Sequence, residues 1–76
     1  MNKLIIFMIR KKLGLKRKQK FKFLNQKNPC ESYLFTDDCL VKLSPKGTYL
    51  REAKINLNFL LSEEAKDLIV KCEVLK

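Results

Sequence analysis

Histidine is missing from all 76 residues. The commonest general base is therefore unavailable, and the acidic neighbours Asp37/Asp38 and Glu63/Glu64 are spaced as turns and helix starts are, so no enzyme is expected. Glycine occurs only as Gly14 and Gly47, too few for a phosphate-cradling glycine loop. Three cysteines, Cys30, Cys39 and Cys72, contain no C-x-x-C pair and have no obvious activating base. A zinc site takes about four ligands, so neither a metal nor another cofactor is expected. The cysteines read as small, buried, reduced hydrophobes, which fits a reducing compartment rather than a secreted disulfide scaffold. The apolar run Leu4–Ile9 is six residues long, against about twenty for a membrane span, so no transmembrane segment is expected. It has no small-residue cleavage site after it, and serine is absent from the first thirty residues, which argues against secretory and organellar leaders alike.

Acid is also missing from residues 1–30, which hold ten Lys or Arg and carry +10, whereas residues 31–76 carry −1. A net charge of +9 on so short a chain calls for an anionic partner. The asymmetry reads as a basic N-terminal arm, 1–30, on a small domain, 31–76. The candidate RNA-binding residues are Arg10, Lys11, Lys12, Lys16, Arg17, Lys18, Lys20, Lys22 and Lys27 of the arm. Cations on phosphates release counterions and bind tightly without reading sequence. Unneutralised, such an arm should repel itself and stay extended. Lys20-Phe21-Lys22-Phe23 alternates, so in an extended chain both rings share one side. Phe21 and Phe23 either stack on unpaired bases or belong to the core. Leu4–Ile9 reads as a buried strand or a segment docked on a partner.

The strongest local pattern is Cys39–Glu52. Pro45 suits the second turn position and Gly47 can take φ > 0, so a hairpin is expected with Lys46 at its tip. Lys46 completes the candidate RNA contacts, and Arg51 and Lys54 extend that surface. Tyr33–Phe35 suggests a short strand, followed by a turn at Thr36-Asp37-Asp38. Ala53–Leu61 alternates, with Ala53, Ile55, Leu57, Phe59 and Leu61 on one face, as a half-buried strand would. Residues 62–76 admit two readings. Ser62 can cap a helix with Glu63 and Glu64 in its first turn, or 62–67 is a loop and 68–75 a returning strand. The fold expected is α+β or β-rich: a small antiparallel sheet built on the 39–52 hairpin, with a basic extended arm and a C-terminal strand or short helix.

Asp37–Glu52, DDCLVKLSPKGTYLRE, is similar to the hairpin of the universal large-subunit ribosomal protein six family, through Asp37, Asp38, Leu40, Val41, Pro45, Lys46, Gly47, Leu50 and Arg51. The resemblance implies an α+β domain with an antiparallel sheet and a structural role on ribosomal RNA. It would match Ile55–Phe59 and Leu68–Cys72 to the next two strands. The family carries two such domains and a helix over the sheet. This chain has room for one and is expected to lack that helix, so a split half completed by another polypeptide is one expectation. Lys in excess of Arg, with much Asn, Ile, Phe and Leu, points to an AT-rich coding genome: organellar, phage or bacterial.

The function expected is a structural RNA-binding protein of a ribosome, in a mitochondrion or other organelle or else in the cytoplasm. Its partners would be ribosomal RNA and neighbouring ribosomal proteins, with no small-molecule substrate. The alternatives are a small protein-interaction module or phage-encoded inhibitor, and a peripheral subunit of a membrane complex.

Overall fold

Asn2 opens the first helix by accepting a hydrogen bond from the Ile5 amide at 2.9 Å. The computed structural model describes residues 2–75, and in it this helix, α1, runs Lys3–Leu13. It ends at Gly14, whose φ of 72° lies in the left-handed region, with the Gly14 and Leu15 amides closing back on Lys11 and Arg10. The expected extended arm is thus replaced over this stretch by a helix, and Leu4–Ile9 is helical rather than a strand. The reason is periodicity: Ile6, Ile9 and Leu13 fall on one helical stripe, and all three are buried.

Five strands follow: β1 Gln19–Phe23, β2 Ser32–Phe35, β3 Leu40–Leu43, β4 Tyr49–Glu52 and β5 Ile69–Val74. They form one sheet in the order β4-β3-β2-β1-β5, antiparallel throughout. The chain is therefore an α+β domain. Its basic N-terminal segment is built into the sheet, because β1 is hydrogen-bonded on both sides.

β1 alternates as its residues suggest. Phe21 (0% exposed) and Phe23 (7%) face α1, and Lys20 and Lys22 face away. Phe21 stacks on Phe35 and Tyr33 at centroid distances of 5.4 and 5.8 Å and meets Phe23 edge-on at 5.6 Å. Around these rings pack Ile6, Ile9, Leu13, Leu15, Leu40, Leu60 and Ala65. The reading of Phe21 and Phe23 as base-stacking rings fails, because neither presents a face to solvent.

The hairpin forms as expected. The Gly47 amide bonds to Ser44 carbonyl at 2.8 Å, Pro45 takes the second turn position, and Gly47 has φ 85°. The Ser44 amide then bonds to Thr48 carbonyl at 2.8 Å. The turn before β3 is tied by Thr36, whose hydroxyl accepts from the Asp38 and Cys39 amides.

Ala53–Leu61 is not a strand. The Ala53 amide still pairs with Leu40 at 2.7 Å, but Asn56 then accepts from the Asn58 amide at 2.8 Å and starts the short helix α2, Leu57–Leu60. The alternation nonetheless marks inward residues: Ala53, Ile55, Leu57, Phe59 and Leu61 all pack against the core. It misplaces Leu60, which is 0% exposed. Residues 62–75 satisfy both readings in turn. Ser62 caps α3, Glu63–Leu68, by accepting from the Ala65 amide, and β5 then returns beside β1. Of the two strands implied by the family resemblance, Leu68–Cys72 overlaps β5 and Ile55–Phe59 does not form, while the covering helix expected to be lacking is supplied by α1, whose Ile6, Ile9 and Leu13 pack on the sheet. All three cysteines are free thiols, but none is buried as expected: Cys30 is exposed in the β1–β2 loop and Cys39 and Cys72 are half-buried.

Candidate nucleic-acid interface

The first six of the candidate cations lie within nine consecutive residues, Arg10–Lys18. Arg10, Lys11 and Lys12 occupy the last turn of α1, where the helix dipole favours positive charge. Gly14 then reverses the chain, and Gln19 fixes the connection by accepting from the Lys16 amide at 2.9 Å. Lys16, Arg17 and Lys18 project from this turn, with Lys18 at φ 61°. The Lys18 carbonyl accepts from the Leu75 amide at 2.8 Å, which ties the corner to the end of β5. Lys71 approaches it as well: its Nζ would lie 2.8 Å from a Cβ placed on Gly14.

Two of these cations are paired. Arg17 reaches Asp37 at 3.6 Å and Lys12 reaches Glu63 at 3.8 Å, both solvent-exposed contacts of the kind that contribute little and yield to a better partner. Lys11 lies 5.8 Å from the centre of the Phe7 ring. Among the described residues no ion pair engages Arg10, Lys11, Lys16 or Lys18.

The remaining four candidates lie elsewhere. Lys20 sits on the sheet face away from α1, 2.7 Å from Glu73, with its side chain only 15% exposed. First by that hydrogen bond and second by its charge, Lys20 holds the Glu73 carboxyl below its ordinary range. Lys22 donates to the Pro29 carbonyl at 2.7 Å. Both are engaged within the chain. Lys27, in the β1–β2 loop, and Lys46, at the β3–β4 turn, are exposed, but those connections are at the other end of the sheet from the α1–β1 corner.

Beside the corner, a crevice of about 320 Å³ opens between α1 and the end of β2. Ile6 and Phe35 are at its apolar base, Lys3, Arg10 and Arg17 supply cations, and Phe7, Thr36 and Asp37 complete the lining. Lys3, Phe7 and Lys71 are contributions that sequence reasoning missed. Helical spacing was the available signal for Phe7, since it separates Leu4, Phe7 and Met8 from the buried stripe. These three are 67%, 52% and 53% exposed, an apolar face on the solvent side of α1.

Among the described residues no three Cys, Asp or Glu side chains cluster as metal ligands, and no helix is long and apolar enough to cross a membrane. No family model, curated protein or solved structure matches the chain. What the corner offers chemically is a fixed, concentrated positive field for a polyanion.

Proposed function

We propose that this is a structural RNA-binding protein that neutralises and packs against RNA through its α1–β1 corner. The observation that carries the reading is the gathering of Arg10, Lys11, Lys12, Lys16, Arg17 and Lys18 at one end of a folded domain, where the ion pairs formed among the described residues are exposed ones with Glu63 and Asp37. Cations held on a helix end and a tied turn lose less entropy on meeting phosphates than cations on a free tail. The likeness of Asp37–Glu52 to a ribosomal hairpin makes ribosomal RNA, in an organelle or in the cytoplasm, the proposed target, with neighbouring ribosomal proteins as partners. The protein is read as a non-enzyme.

The test is sedimentation of the tagged protein from its own cell extract through a sucrose gradient, with and without nuclease. Migration with large ribosomal particles, abolished by extensive RNA digestion, is the expected result. A small nuclease-resistant species would instead support a protein-interaction module. A membrane-surface role is a second reading, favoured by exposed Leu4, Phe7 and Met8 beside Lys11; there, anionic vesicles should bind the protein better than RNA does.

A further inference from the structure

We infer that the crevice between α1 and the end of β2 is a subsite for one unpaired nucleotide of an RNA strand, with Phe7 as the stacking surface for its base. The inference rests on the RNA-binding reading and adds to it a preference for single-stranded over duplex RNA.

Three features of the crevice converge. Its base is apolar, formed by Ile6 and Phe35, both at least nine-tenths buried. Its aromatic wall, Phe7, is half exposed where Phe21 and Phe23 are buried, and because Lys11 Nζ lies over the ring, a base would stack on the face opposite that ammonium. Lys3, Arg10 and Arg17 line it, and Lys11 stands 5.8 Å from the Phe7 ring centre, so phosphate partners surround the aromatic surface. An aromatic ring among cations is how single strands are held without sequence reading, since every base has a π-face and every nucleotide a phosphate. Asp37 also lines the crevice and pairs with Arg17 at 3.6 Å, so this carboxylate meets the incoming phosphate as a competitor for Arg17.

A duplex cannot use the site. Its bases are paired and stacked inside the helix, leaving only phosphates for the cations. A lipid surface is the competing occupant, because Leu4 and Met8 flank Phe7 on the exposed side of α1. The concave shape and its three cations favour the nucleotide, since a bilayer presents a broad surface and not a group that enters a crevice.

The experiment measures binding of full-length protein to a short unstructured RNA, to an RNA duplex of equal length, to adenosine monophosphate and to vesicles containing phosphatidylserine. Two variants are compared, Phe7→Leu and Phe7→Trp. The chain has no native tryptophan, so Phe7→Trp supplies a single tryptophan emission, excited at wavelengths where Tyr33 and Tyr49 do not absorb. Phe7 is exposed, so both variants should keep the wild-type melting temperature. Phe7→Leu should weaken single-strand binding by roughly 5- to 150-fold and leave duplex binding unchanged. Phe7→Trp should be quenched by the single strand and not by the duplex. If Phe7→Leu leaves single-strand affinity unaltered, or weakens both RNAs equally, the stacking subsite is overturned while the RNA-binding reading stands. If neither RNA binds wild type, the underlying reading fails. Monophosphate binding as tight as the strand would reassign the crevice to a free nucleotide. Vesicle binding that blue-shifts the emission of the Phe7→Trp variant, with no quench by RNA, would make it a lipid contact.

Discussion

Gly14 turns the chain from the last cations of α1 to those before β1, and it does so at φ 72°. An L-residue pays roughly 1–2 kcal/mol in the left-handed region. Gly14→Ala should therefore lower unfolding free energy by about that amount in urea titration. The neighbour in the way is the flexible ammonium end of Lys71, which can swing aside, so little is added for the clash. Gly47→Ala, at φ 85° in open space, should cost a similar amount. The Lys20–Glu73 pair makes a different prediction. The folded chain lowers the Glu73 carboxyl, so its stabilising contribution is present above the ordinary carboxylate value of 4.5 and fades as pH falls through the lower folded value. Glu73→Gln should shrink that acid-side loss in urea midpoints followed across pH, and only modestly, because Glu73 is exposed.

α1 and β1 carry both charge and core, and that sets what truncation does. The charge split alone suggests that deleting residues 1–27 would abolish polyanion binding and leave a folded body. In the structure that deletion removes β1, the strand between β2 and β5, together with Ile6, Ile9, Leu13, Phe21 and Phe23. Domains hold only about 5–15 kcal/mol in total, and losing one large buried aromatic alone costs about 3–5 kcal/mol. The truncated chain should show no cooperative melt by circular dichroism; a cooperative transition near the parent temperature would contradict the observed sheet order. The start of α3 allows a milder check. Ser62 caps this short helix through the Ala65 amide, so Ser62→Ala should cost about 1 kcal/mol by chemical denaturation.

The molecule as a whole sorts its cations by position. Those of 10–18 lie at one end of the sheet, Lys27 and Lys46 lie at the other, and Lys20 and Lys22 are bound within the chain. RNA binding through the corner alone has a quantitative signature. Replacing Lys11, Lys16 and Lys18 together by Gln should reduce the slope of log affinity against log salt by roughly 2 for a single strand. The Lys27→Gln, Lys46→Gln double variant should leave it unchanged. Equal losses in the two variants would mean that the RNA spans both ends.

Local chemistry was enough for much of this. Pro45 and Gly47 specify the hairpin through dihedral preference, and the alternation of Lys20–Phe23 puts both rings on one side of an extended segment, while Ser62 with Glu63 offers a helix start that local chemistry leaves level with a loop. The charge division is likewise a property of composition. Other features depended on partners far along the chain. α1 is a helix because Ile6, Ile9 and Leu13 find the aromatic face of the sheet, which outweighs the β-branched run that reads as a strand. Ala53–Leu61 has its inward residues marked correctly, but Asn56 and the fully buried Leu60 make its end helical. Helical spacing sets Phe7 apart from the stripe of Ile6, Ile9 and Leu13, but only once the segment is known to be a helix, and Leu4–Ile9 reads locally as a strand. Pairing of β1 with β2 and, across some fifty residues, with β5 puts Phe21 in the core, and the docking of Ile6, Ile9 and Leu13 there leaves Phe7 on the open side of α1.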